Sequence, residues 1–141
     1  MSSADLRARR EAIVREHMES ENVHDFDTTI ATFGHPRYEL VATGDVYDGE
    51  DAVRGYFAES RRAFPDQRNE LVALHHADDA VIVEFDLLGT HLGPLRALPP
   101  TGRAFRAGAA TAPGGSADRR GRFGGCARSA GGRRLESWRS P

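Results

Sequence analysis

Residues 70–91 read ELVALHHADDAVIVEFDLLGTH, and this stretch decides the class of fold. Glu70 to His76 predicts one strand, Ala77-Asp78-Asp79 a turn, and Ala80 to His91 a long second strand. Side chains on a strand alternate between faces with period 2. Odd positions Val81, Val83, Phe85 and Leu87 therefore make one apolar face, and His91 shares their parity. Even positions Ile82, Glu84, Asp86 and Leu88 make a mixed face.

Upstream the period changes from strand to helix. Leu6, Ile13, Val14 and Met18 fall on one side of a predicted helix from Ser3 to Glu21, with Ser3 as N-cap and Asp5 at the positive end of its dipole. Asp25 caps a shorter helix carrying Phe26, Ile30 and Phe33, ended by Gly34 and Pro36. Tyr38 to Thr43 reads as a strand, Gly44-Asp45 as a turn, and Val46-Tyr47 as a short return. Asp48 then caps a third helix whose stripe is Val53, Tyr56, Phe57 and Phe64, stopped by Pro65.

Downstream, an irregular stretch from Leu92 to Gly102 leads to Arg103-Ala104-Phe105-Arg106, which reads as a strand beginning and not continuing. Residues 107–141 contain no Ile, Val, Met or Tyr, and Gly, Ala and Arg supply 22 of the 35. Such a segment buries too little apolar surface to offset an ordering cost of roughly 1–2 kcal/mol per residue. The reading is a domain over residues 1–106 and a largely disordered tail over 107–141. Charge divides at the same place: residues 1–106 carry −7 and residues 107–141 carry +5, within a net −2.

A chain of 141 residues supports one domain with one modest core. It has no apolar run of the roughly 18–20 residues that would cross a bilayer, and Met1 to Asp5 lead straight into charged sequence. Cys126 is the only cysteine, so no internal disulfide forms, and a reducing, cytoplasmic setting is expected. Every basic residue is arginine, which points to a GC-rich genome.

Three short pieces, in order and spacing, carry a resemblance. They are Ala63-Phe64-Pro65-Asp66, Gly89-Thr90-His91-Leu92-Gly93 and Pro99-Pro100-Thr101-Gly102-Arg103. Together they resemble the SnoaL-like polyketide cyclase family, also called ester cyclases, of the nuclear transport factor 2-like superfamily. The resemblance covers roughly residues 5–106. It implies an α+β fold, a cone-shaped, curved antiparallel sheet wrapped on helices, with an internal pocket and usually a homodimer. It also implies acid–base chemistry on a small apolar metabolite, such as an intramolecular aldol closure. Related pockets isomerise steroids, hydrolyse epoxides, or bind ligands without known catalysis, so fold does not settle reaction. Family members continue past the Pro-Pro-Thr-Gly-Arg segment with two further strands, and we expect these closing strands to be missing here. We expect the chain from about residue 107 to be an out-of-frame translation of GC-rich DNA, and the shortened domain to be of low stability.

Chemistry of this kind needs a base for a carbon-bound proton and a donor for the enolate. His91 is the candidate base, because histidine titrates near neutral pH and His91 ends the apolar-face strand. The bland alternative is a histidine that caps the strand and bonds a backbone group. Glu84 and Asp86 share a face and could divide acid and base roles, or could form a solvated sheet face. Tyr38 and Tyr56 are candidate phenol donors, with core packing as the alternative, and His35 and Phe85 are further candidates for contact with ligand. His75 and His76 point to opposite faces, so no metal site is expected there, nor any other cofactor. His24 reads as a turn or cap residue. Two alternatives remain for function. One is a non-catalytic ligand-binding domain of the same fold. The other is a nucleic-acid-binding protein working through Gly121-Arg122-Phe123-Gly124-Gly125, disfavoured because the motif occurs once.

Overall fold

The computed structural model describes residues 2–40, 43–113, 123–124 and 134–138. Helix α1 (Ser3–Asn22) is capped by Ser2, one residue before the expected cap Ser3. Ser2 Oγ accepts from the Asp5 amide and the Asp5 carboxylate accepts from the Ser2 amide, a reciprocal capping box. Helix α2 (Phe26–Ala31) is capped by Asp25 as expected. Phe33, read as the third residue of its stripe, instead opens strand β1 (Phe33–His35). It reaches the same core from the strand, 3% exposed.

Strands β2 (Arg37–Leu40) and β3 (Asp45–Asp48) form an antiparallel pair that sets Tyr38 opposite Tyr47. Of the expected strand Tyr38 to Thr43, Val41 and Ala42 lie outside the described residues, and Thr43 lies in the turn. Helix α3 (Glu50–Ala63) follows. Its N-cap is Gly49, at φ +92°, and not Asp48, which closes β3. Glu50 and Asp51 open α3 and Arg61 and Arg62 end it, each suited to the helix dipole.

The predicted hairpin is β4 (Arg68–His76) and β5 (Val81–Thr90), antiparallel, with Glu70 opposite Asp86 and His75 opposite Ile82. The register shifts between Leu71 and Ala73. Val81, Val83 and Phe85 are buried against Val14 and Met18 of α1, with Leu71 and Leu74 alongside. The apolar parity of β5 therefore faces the helix. A second core gathers Ile30, Phe33, Tyr38, Val53 and Phe57, with Phe26, Tyr47 and Tyr56 packed on it.

One expectation is corrected. The strand beginning at Arg103 does continue: β6 (Ala104–Pro113) pairs antiparallel with β5 from Thr90↔Ala104 to Val83↔Thr111. Backbone pairing along the open edge of β5 needs no large side chains, and Ala109 and Ala110 are small enough to lie buried there. Strand β7 (Phe123–Gly124) pairs parallel with β1, and β8 (Arg134–Trp138) pairs parallel with β6. The main sheet has the order β4-β5-β6-β8 and does not close on itself. The other residues of the expected disordered tail, from 114 onward, lie outside the described residues.

The three short motifs meet in space. Ala63 carbonyl accepts from the Leu92 and Gly93 amides at 3.0 and 3.1 Å. The Asp66 carboxylate accepts from the Thr90 amide and hydroxyl, both at 2.7 Å. His91 donates its amide to Arg103 and accepts from the Gly102 amide. Gly93 is required by this close approach, since a Cβ there would lie 1.9 Å from the Arg62 carbonyl oxygen.

Candidate functional site

Helix α1 is polar along most of its length, yet four of its inward residues are polar too. Arg10, Ser20 and Glu21 are buried, as is Val14, and the His17 side chain is only 12% exposed. A polar group removed from water must find partners within the protein. Arg10 donates to the carbonyls of Ala77 and Asp78 and so ties α1 to the β4–β5 turn. Ser20 bonds Thr29 at 2.8 Å.

His17 and Glu21 build something more reactive. His17 Nδ1 lies 2.7 Å from Thr32 Oγ1, and Nε2 lies 3.0 Å from the Tyr38 hydroxyl. Thr32 donates its own proton to the Thr29 carbonyl at 2.6 Å, so it accepts from His17. In the neutral ring Nδ1 therefore carries the proton and Nε2 accepts from Tyr38. Burial pushes the His17 pKa below its ordinary value of 6.5, while the Glu21 charge acts the other way. Glu21 Oε2 is 3.6 Å from Nε2, and its Oε1 is held by Arg61 at 2.8 Å.

An aromatic wall surrounds the pair. Phe33 meets the His17 ring edge-on at 5.0 Å, and Tyr38 packs against Tyr56 at 5.4 Å and Phe57 at 5.8 Å. Tyr56 in turn packs on Tyr47 at 4.9 Å. A neutral imidazole lone pair beside a phenol, in largely apolar surroundings, can exchange a proton with a bound molecule and hydrogen-bond a developing oxyanion.

Of the residues singled out in sequence, Tyr38 and Tyr56 come together here. The others stand elsewhere. His91 is buried at the junction of the three motifs, with Nδ1 3.2 Å from Thr101 Oγ1 and its ring 5.4 Å from that of Phe64. Its Nε2 has no hydrogen-bond partner among the described residues. Glu84 and Asp86 do share the face turned away from α1. There Glu84 lies 3.5 Å from His75, and Asp86 is bound by Arg106, which also holds Glu70. His35 is exposed and pairs with Asp48, and Phe85 belongs to the core beneath α1. His76 turns to Glu11 on α1 at 2.8 Å, opposite in direction to His75. His24 sits at φ +61° and stacks on Phe26 at 5.5 Å. No group of three or more His, Cys, Asp or Glu among the described residues is arranged to hold a metal ion.

His17 was not singled out in sequence. Its signal was spacing: positions 10, 14, 17 and 21 follow one helical face, so Arg, His and Glu share the stripe of Val14.

A family model described as a SnoaL-like domain matches residues 14–115. The chain belongs to the SnoaL-like domain family. The match runs past residue 106 and takes in the whole of β6, in agreement with its pairing. Among solved structures, a candidate polyketide cyclase from Xanthomonas campestris pv. campestris superposes on this SnoaL-like chain with TM-score 0.73. The two are 16% identical over 94% of this chain and 91% of that one. SalBIII, an epoxide hydrolase/cyclase-like enzyme with a role in pyran ring formation in the polyether salinomycin, gives TM-score 0.69. It is 20% identical over 94% of this chain and 92% of that one. IdmH from Streptomyces antibioticus gives TM-score 0.66 and 21% identity over 81% and 86%. At these identities the likeness establishes the nuclear transport factor 2-like fold. No curated protein sequence matches significantly. No helix among the described residues is long and apolar enough to cross a membrane.

Proposed function

We propose that this SnoaL-like protein transfers protons on a small apolar metabolite, as a cyclase, isomerase or hydrolase, with His17 and Tyr38 as its catalytic pair. One observation carries the reading: the His17 Nε2 lone pair lies 3.0 Å from the Tyr38 phenol inside an aromatic cluster. When substrate binds, the Tyr38 hydroxyl turns its proton from His17 Nε2 to the substrate carbonyl oxygen, and the freed Nε2 lone pair takes a proton from the adjacent carbon. The C–H electrons form the enolate, and charge collects on the carbonyl oxygen, where the Tyr38 hydroxyl donates a hydrogen bond. In a ring closure the enolate carbon attacks a second carbonyl of the same molecule, and the proton on His17 passes to the new alkoxide. A positioned base contributes roughly 100- to 10,000-fold and one oxyanion donor on the order of 100- to 1,000-fold. Apolar walls strengthen both contributions by excluding water.

The test is deuterium incorporation at the α-carbon of small apolar ketones and 1,3-diketones in D2O, followed by NMR. The intact chain is expected to exceed buffer and Tyr38→Phe to lose on the order of 100-fold. Ketones that bind without exchange above buffer would favour the non-catalytic reading of the same fold.

A further inference from the structure

We propose that Arg61 and Glu21 are positioning residues for the His17–Tyr38 pair: Arg61 binds one oxygen of Glu21 and so fixes the other beside His17, where it governs the proton affinity of the ring. This rests on the reading above, and the geometry behind it comes from five separate elements. Glu21 lies one helical turn beyond His17 on α1, so its carboxylate and the imidazole share a face. Arg61 reaches them from α3, Tyr38 from β2, Thr32 from the C-cap of α2 and Phe33 from β1. The titratable or charged groups placed around His17 by these contacts are thus Glu21, Tyr38 and, behind Glu21, Arg61.

Arg61 is itself firmly held. Its guanidinium lies over the Phe26 ring at 5.5 Å and bonds Ser60 Oγ at 3.0 Å. The two ion-paired side chains are 7% and 11% exposed. A buried ion pair adds little net stability compared with apolar packing, because desolvation offsets most of the attraction. What this one does is divide a carboxylate. One oxygen is tied to Arg61, and the other stands 3.6 Å from the nitrogen that receives the substrate proton.

In the resting state the Arg61 charge screens Glu21, and the buried imidazole stays neutral and competent as a base. Once His17 takes a proton, the imidazolium faces Glu21 Oε2 as an ion pair, and the charge-separated state is stabilised. Without Glu21 the base is weaker. Without Arg61 the unscreened carboxylate draws a proton onto His17 before substrate arrives.

The experiment is an NMR titration of the His17 ring in ligand-free full-length protein, for the parent chain, Glu21→Gln, Arg61→Gln and the double variant. The midpoint is expected to fall in Glu21→Gln and rise in Arg61→Gln, each by roughly one pH unit. The double variant is expected to lie below the parent, since the carboxylate is gone, and it keeps the test alive if Arg61→Gln alone fails to fold. An unchanged midpoint in Glu21→Gln or in the double variant would overturn the proposal. The titration needs no substrate, so it separates two failures. Coupling without deuterium exchange sinks the reaction, and exchange without coupling sinks the role of the pair.

Discussion

Thr32 Oγ1 lies 2.7 Å from His17 Nδ1 and gives its own proton to the Thr29 carbonyl oxygen 2.6 Å away. A hydroxyl with its one proton committed can only accept from the ring, and this fixes the tautomer on which the chemistry depends. Nitrogen-15 shifts of His17 at neutral pH are expected to report a protonated Nδ1 and an accepting Nε2. Thr32→Val removes the acceptor, leaves Nδ1 unsatisfied, and is expected to cost about 1–3 kcal/mol in denaturant unfolding while mixing the two tautomers.

The lowered pKa of His17 makes stability depend on pH with a definite sign. The folded ring resists protonation below its ordinary value of 6.5, whereas the unfolded chain takes up the proton there. The unfolded state then binds more protons, so stability present above pH 6.5 is lost as pH falls towards the folded pKa. Urea midpoints measured across this range are expected to decline on acidification. His17→Asn, which keeps a donor for Thr32 but cannot titrate, is expected to flatten that decline.

The motif junction should be as sensitive as a core. Gly93→Ala places a methyl 1.9 Å from the Arg62 carbonyl oxygen and forces apart the two amides that Ala63 binds. A loss of about 1–3 kcal/mol is expected from thermal or denaturant unfolding. Asp66 acts in a different pH window. Thr90 hydrogen bonds hold its pKa below the ordinary 3.8, so its contribution is present above that value and lost as pH falls through the folded pKa. Asp66→Asn is expected to be less stable than the parent at neutral pH, and the difference to close in strong acid.

Much of the fold was legible because one face of each element is buried. Alternation along residues 81–88 located β5 and its inward face, and the stripe Val53, Tyr56 and Phe57 located α3. What escaped was non-local. Strand β6 is half alanine, with Phe105 its one large apolar residue, and its existence depends on the open edge of β5, which composition cannot reveal. His91 attracted attention by parity and is indeed buried, yet its partners Thr101, Gly102 and Arg103 come from a loop that no period describes. His17 was hidden in a helix whose few apolar residues obscure which polar ones face inward. Tyr38 was recognisable by chemistry, but its meeting with His17 is set by how β2 packs on α1.

The composition of the C-terminal part leads to a prediction about the gene. We propose that a frame change lies downstream of codon 106, since β6 and the family match carry the fold to about residue 113. Translating the other two frames from that region is expected to give two strands with alternating apolar residues. Finding none in either frame would sink the idea.

Whether chemistry belongs to His17 or His91 is open to one comparison. Deuterium incorporation into a small apolar ketone should be measured for the parent chain, His17→Asn and His91→Asn, each variant keeping an amide where the original Nδ1 stood. His17→Asn is expected to fall to the buffer rate and His91→Asn to retain the parent rate. Exchange that survives in His17→Asn, or disappears only in His91→Asn, would contradict the assignment of the site.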